Sequence, residues 1–143
     1  KISREGEMIS WKPEYSVGIE ELDTQHQKMF EILNVLNDAV EAGDDVEADF
    51  FTVRLLRYYS EYHFNSEEQL MEKYHYLGLD EHKEEHEKFK AHVYGLKKEF
   101  PDDKILLASR LKEFVQEWVI EHILGTDKKY SSFLIEKIEN NPV

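Results

Sequence analysis

Between Glu81 and Phe100 the chain sets His82, His86, Phe89, Val93, Leu96 and Phe100 at alternating steps of four and three. That spacing is one face of an α-helix. The stripe is apolar except at its start, where two histidines stand one turn apart and point the same way. A chain that packs this helix into a core must bury two adjacent imidazoles, and their surroundings have to accommodate them.

The same periodicity recurs along the chain. Ile19–Ala42 carries Ile19, Leu22, Met29, Phe30, Leu33, Leu36 and Val40 on one face. Val46–Tyr74 offers Phe50, Val53, Leu56, Tyr59, Leu70 and Met71 as inward candidates, and Lys104–Leu124 offers Leu107, Leu111, Phe114, Val115 and Trp118. Breaks fall where helices stop and start: AGDD (Ala42–Asp45), with a glycine stop and an aspartate cap; YHYLGLD, with Gly78 and a capping Asp80; and Pro101 in FPDD. A last helical piece covers Lys128–Glu139 after a break at Gly125 and Thr126. Trp11–Gly18, with Pro13 and Gly18, reads as an extended arm. The expected fold is all-α: an antiparallel, up-down-up-down four-helix bundle with an N-terminal arm and a short C-terminal helix. It forms a single domain over residues 1–143, with a lead-in at 1–10, the arm at 11–18 and helices over 19–140.

Length and composition fit one soluble domain. The 143 residues are 41% hydrophobic and 34% charged, enough to bury a core. A formal net charge of −13 excludes a nucleic-acid partner, which needs a basic groove. No apolar run is long enough to span a membrane and no signal-peptide pattern opens the chain, so a cytoplasmic location is expected. With no cysteine, any metal must be held by nitrogen and oxygen.

The other histidines also fall on inward faces. His26 lies in the first stripe, His63 and Glu67 are four apart, and His122 continues the Leu111, Val115, Trp118 face. Asp127, past Gly125 and Thr126, can turn back toward the same space. In an antiparallel bundle, the start of the first and third helices and the end of the second and fourth lie at one level. At about 1.5 Å rise per residue, all seven donors sit within a few turns of each other. One buried histidine alone is ordinarily a hydrogen-bonded core residue. Five imidazoles and two carboxylates in one end of a small core would cost several kcal/mol without an ion. His75, in a turn, and His92, off the seam, read as surface histidines.

Such donors suit iron, copper, zinc or manganese. Seven exceed what one ion takes and suit two, bridged by both carboxylates and an oxide or hydroxide. One coordination position then stays open for a small molecule. Neutral imidazoles predominate here, unlike the carboxylate-rich sites of helical di-iron oxidases. The balance favours reversible dioxygen binding over cleavage of the O–O bond, in a pocket kept dry by Trp118, Val119, Ile123 and Leu124.

WKPEYSVGIEELDTQH (Trp11–His26), HFNSEEQLM and EWVIEHILGTDKKY, with the His63-x-x-x-Glu67, His82-x-x-x-His86 and His122-x-x-x-x-Asp127 pairs, resemble the hemerythrin family from Trp11 to Tyr130. The resemblance implies two iron ions with an oxo or hydroxo bridge. It implies that His82, His86 and His122 hold one iron, that His26 and His63 hold the iron with the open position, and that Glu67 and Asp127 bridge them. Relatives of this kind are dioxygen carriers or stores when free and oxygen sensors when fused to signalling proteins such as chemoreceptors. The non-Met start suits a domain cut from a larger receptor, with residues 7–18 as its lever.

HKEEH (His82–His86) also matches a zinc-peptidase motif in which Glu85 would be the general base, but that reading leaves His26, His63 and His122 unexplained. A di-iron oxidase, peroxidase or nitric-oxide-handling enzyme is the stronger alternative. It needs a proton donor near the open position, and the pocket residues supply none. No enzyme activity is expected.

Overall fold

In the computed structural model, residues 10–42 and 46–140 are described, the side chains of 46–51 excepted. Four long helices follow one another: α1 (Glu20–Ala42), α2 (Val46–Lys73), α3 (Leu79–Glu99) and α4 (Lys104–Glu121). α5 (Lys128–Asn140) closes the chain. No described helix is long and apolar enough to cross a membrane.

Side-chain bonds fix the directions of the helices. Gln25, near the start of α1, bonds to His63 and Ser66 near the end of α2. His82, at the start of α3, meets His122 at the end of α4. Lys112 of α4 donates to Asn37, near the end of α1. These are the contacts of an antiparallel bundle. Its core runs through Met29, Phe30, Leu33, Leu36, Val53, Leu56, Phe89, Val93, Leu111 and Val115. The loss of water from these apolar faces is the main force holding the helices together.

Several boundaries differ from the sequence expectation. The arm is not extended throughout, because Pro13–Tyr15 forms a single 3-10 turn. Pro13, with φ already near the helical value, starts it, and the Ser16 amide closes it on the Pro13 carbonyl at 3.1 Å. Tyr15 is thereby buried against Phe30, with Trp11 beside both. α3 begins earlier than expected, at Leu79, with Gly78 as its N-cap. Asp80 lies within the first turn, where its charge favours the helix dipole, and does not cap. The AGDD stop and the inward candidate Phe50 lie outside the described residues and side chains.

The most consequential difference follows α4. No break occurs at Gly125 and Thr126. His122–Asp127 continues as a π-helical turn that runs directly into α5, and the Lys128 amide bonds five residues back to Ile123. In an α-helix, residues five apart lie about 140° round from each other. A ring closed over five residues returns them to one face. The wide turn is what lets both His122 and Asp127 point inward.

Candidate metal centre

His26, His63, Glu67, His82, His86, His122 and Asp127 all converge at this end of the bundle, and each is at most 5% exposed. The carboxylates stand between two groups of imidazoles. Glu67 Oε1 lies 3.3 Å from His82 Nε2 and 3.2 Å from His86 Nε2, while Oε2 lies 3.3 Å from His63 Nε2 and 3.7 Å from His26 Nε2. Asp127 repeats the division. Its Oδ1 is 3.1 Å from His82 Nε2 and 3.0 Å from His122 Nε2, and its Oδ2 is 3.2 Å from His26 Nε2. Two compact donor sets result: Glu67, His82, His86 and His122, and His26, His63, Glu67 and Asp127.

Among the described residues, both ring nitrogens of His26, Nε2 of His63 and of His86, and both oxygens of Asp127 are buried without a hydrogen-bond partner. Buried polar atoms are normally satisfied, and the five of these in the two donor sets call for a ligand. A pair of cations would satisfy those five, with Nδ1 of His26 left over.

The outer ring nitrogens are held from behind. His86 Nδ1 donates to Glu68 Oε2 at 2.6 Å, and His122 Nδ1 donates to Glu85 Oε1 at 3.0 Å. Thr126 Oγ1 donates to the same Glu85 oxygen at 2.8 Å. His63 Nδ1 donates to Gln25 Oε1 at 2.6 Å, and the Gln25 amide nitrogen donates to Ser66 Oγ, which fixes the orientation of the amide. With protons on Nδ1, the lone pairs of three Nε2 atoms are free to face inward. Glu85 is thus committed to His122 and Thr126, which removes the peptidase reading's general base.

Charges inside the cluster perturb one another strongly. Burial alone would depress His26 and His82, but the facing carboxylates of Asp127 and Glu67 hold them up to about 9 and about 10. His122 is raised against its own burial by Asp127, whereas burial prevails at His63 and lowers it. The surrounding imidazoles keep Glu67 and Asp127 below the usual carboxylate range despite the desolvation that opposes it. Each carboxylate is thus held ionised by the imidazoles around it and each of three imidazoles favours a positive charge, the electrostatics of a cation site.

A small cavity of about 10 Å³, room for about one water-sized molecule, abuts the cluster at His26, His63, His122 and Asp127. Its apolar wall is Met29, Phe64, Trp118, Val119 and Ile123. Leu124 does not line it. At 38% exposure it points to solvent, because the π turn spends its inward positions on His122, Ile123 and Asp127. Met29, which its spacing marks only as core, belongs to this wall, and so does Phe64, which the sequence expectation does not include. Phe64 stacks on His86 with ring centroids 4.0 Å apart, and Trp118 stacks on His122 at 4.2 Å. His75 and His92 are exposed and away from the cluster, although His92 stacks on Phe114.

The family model of the hemerythrin HHE cation binding domain matches residues 17–134. The chain belongs to the hemerythrin family. It is 32% identical to a bacteriohemerythrin of Clostridium acetobutylicum over 86% of this chain and 98% of that protein. A myohemerythrin of Theromyzon tessulatum is 31% identical, over 90% and 95% of the two chains. A solved crystal structure of a leucine-to-phenylalanine mutant superposes with a TM-score of 0.80 at 29% identity, over 89% of this chain and 97% of that one. The cofactor of a hemerythrin domain is a di-iron centre, and the cluster of buried histidines and carboxylates suits it.

Proposed function

We propose that this domain binds dioxygen reversibly at its di-iron centre. His82, His86 and His122 would hold one iron, His26 and His63 would hold the other, and Glu67 and Asp127 would be shared between them. The observation that carries the assignment is the division of the carboxylates, each of which turns one oxygen to either group of imidazoles. The centre, when bound, supplies redox equivalents and an open coordination position. His26 and His63 line the apolar cavity together with His122 and Asp127, and the smaller number of imidazoles in the His26 and His63 set supports an open position on the iron they would hold.

The protein's part is to make binding reversible. Met29, Phe64, Trp118, Val119 and Ile123 exclude water and offer no acidic proton at the cavity. The nearby phenol of Tyr130 is already committed to Glu67 Oε2 at 2.6 Å, and burial holds its proton on by raising its pKa well above the usual range. Without an available proton, O–O cleavage lacks its leaving-group acid, which favours carriage or sensing over an oxidase or peroxidase. Gas-uptake titration of the reduced protein tests the reading. One dioxygen per iron pair, released under vacuum, is expected, and consumption beyond one equivalent contradicts it.

Sensing is the finer reading, and the seat of the N-terminal arm supports it. Lys128, next after Asp127, donates to the Ser16 carbonyl at 2.5 Å, and Ser131 Oγ donates to the Val17 carbonyl at 2.5 Å. Gly18, at φ +77°, lies so close to Ile135 that an added Cβ would come within 2.4 Å of its Cδ1. A shift of Asp127 therefore reaches the arm through one peptide link and one hydrogen bond. Carriage or storage does not need this coupling.

A further inference from the structure

Met29 supplies the one sulfur, among the described residues, in the wall of the cavity at the metal centre. It follows His26 by about one helical turn, is 1% exposed and belongs to the main core. Beside it Phe64, Val119 and Ile123 present only hydrocarbon, and Trp118 presents an indole. Met71 is equally buried, but it sits in a separate cluster with Val17, Leu22, Tyr130 and Leu134 and is not part of that wall. Two thioethers alike in burial thus differ in one respect, contact with the space that would receive the ligand of the irons.

We propose that Met29 is a modification site: hydrogen peroxide arising in the cavity oxidises its thioether to the sulfoxide, and the oxygen gained closes the cavity to dioxygen. The proposal rests on the dioxygen binding argued above, because two-electron reduction of dioxygen and uptake of two protons give hydrogen peroxide. Peroxide has the same two heavy atoms as dioxygen, so it needs no more room. The sulfur lone pair attacks one peroxide oxygen, and the S–O bond forms as the O–O bond breaks. Sulfur is oxidised by two electrons, and the departing hydroxide takes the proton of the transferred hydroxyl and leaves as water. Both protons come with the oxidant, so the step needs no acid from the wall. Thioethers react with peroxide directly, phenyl and aliphatic groups do not, and an indole reacts far more slowly. Oxidation ordinarily follows exposure. A methionine as buried as Met29 is shielded from oxidant in bulk solution and meets what arises beside it or enters by the route of dioxygen. The sulfoxide adds one polar oxygen, and the cavity has room for about one water-sized molecule, the size of that oxygen.

The iron-loaded full chain is reduced and cycled between argon and air, with catalase in solution to destroy peroxide that escapes. Trypsin, cutting after Lys28, Arg54, Arg57 and Lys73, puts Met29 and Met71 on separate peptides, and mass spectrometry reads the gain of one oxygen. The Met29 peptide should gain it at least about tenfold faster than the Met71 peptide. Gas uptake should fall in step with that gain, and Met29→Leu should keep its own initial uptake through more cycles. Metal-free protein treated alike should keep both peptides at their parent mass. Hydrogen peroxide added to the loaded protein under argon, without catalase, should oxidise Met29 ahead of Met71. Where the charge-transfer band appears in air, an unmodified Met29 after cycling overturns the proposal and leaves dioxygen binding standing. Equal rates at Met29 and Met71, equal oxidation of Met29 without iron, or undiminished uptake by the oxidised protein also overturns it. A band that never appears refutes the dioxygen reading instead, and the order of oxidation by added peroxide then decides the role of Met29.

Discussion

Tyr130 donates its phenolic proton to Glu67 Oε2 at 2.6 Å, with both side chains fully buried. α5 therefore reaches back to hold a carboxylate carried by α2. The same oxygen faces His26 and His63, so this phenol helps decide the direction in which Glu67 presents its lone pairs. Tyr130→Phe removes a hydrogen bond to a charged group, an effect of about 1.5–3 kcal/mol. Denaturant unfolding of the metal-free protein should show a loss of this size, and chelators should strip iron faster from the variant. Unchanged stability and unchanged iron release would contradict the role given to Tyr130.

Glu68 and Glu85 back His86 and His122 from outside the cluster. Outer partners of this kind orient the imidazole and raise its basicity, and their loss costs about 10–100-fold in metal affinity. Glu68→Gln and Glu85→Gln should each weaken iron binding on that scale in competition with a chelator. Glu84→Gln, at an exposed position that pairs with Lys88, should match the parent protein. Equal affinities in all three variants would remove the two carboxylates from the design.

Glu67→Ala takes away an oxygen from each donor set and should lose both irons together. His92→Ala removes an exposed ring that stacks on Phe114, away from the cluster, and should retain full iron content. Elemental analysis of the purified variants decides the matter. A Glu67→Ala protein with two irons per chain would refute the bridging assignment.

Metal-free stability should depend on pH in a way that the loaded protein does not share. Folding raises His26 to about 9 and His82 to about 10, so their contribution is complete below the unfolded histidine value of 6.5. It is lost as pH climbs through 9 to 10. Glu67 and Asp127 are depressed by folding. Their contribution is complete above the ordinary carboxylate range, 3.8 to 4.5, and falls away as the pH drops below it. The metal-free protein should weaken below the carboxylate range and again toward pH 10, and His63, lowered by folding, subtracts stability below 6.5, so the maximum should lie near pH 6.5. Iron takes the place of the imidazole protons, so thermal unfolding of the loaded protein should lack the alkaline decline. An alkaline decline of the same size in both forms would contradict this account.

If the arm senses the centre, oxygenation should change the protease sensitivity of residues 10–18 and the fluorescence of Trp11, which packs on Tyr15 and Phe30. Indifference of both would leave carriage as the role.

The sequence made the donors legible and left their supports obscure, for a physical reason in each case. His82 and His86 occupy a strict helical seam, and an antiparallel bundle brings His26, His63 and His122 to the same level. Asp127 could be named, but its route could not. A π turn has no compositional signature, and Gly125 suggested a break where the helix continues. The misplaced Leu124 follows from the same turn. Glu68 and Glu85 each lie beside another glutamate, and only the rotation of the helix by a fraction of a turn decides which one reaches a histidine. Phe64 lies eight residues after Leu56 and seven before Met71, so it continues the buried α2 face, and periodicity marks it as core but not as a neighbour of His86. The 3-10 turn of the arm depended on Tyr15 finding Phe30, a contact between elements.

The most direct test of the central claim is the visible and near-ultraviolet spectrum of the reduced protein, cycled between argon and air. A charge-transfer absorption that appears in air, vanishes under argon and returns on repeated cycles is the predicted result. A spectrum that never develops, or one that bleaches irreversibly on first exposure, would contradict reversible binding at a paired-iron site.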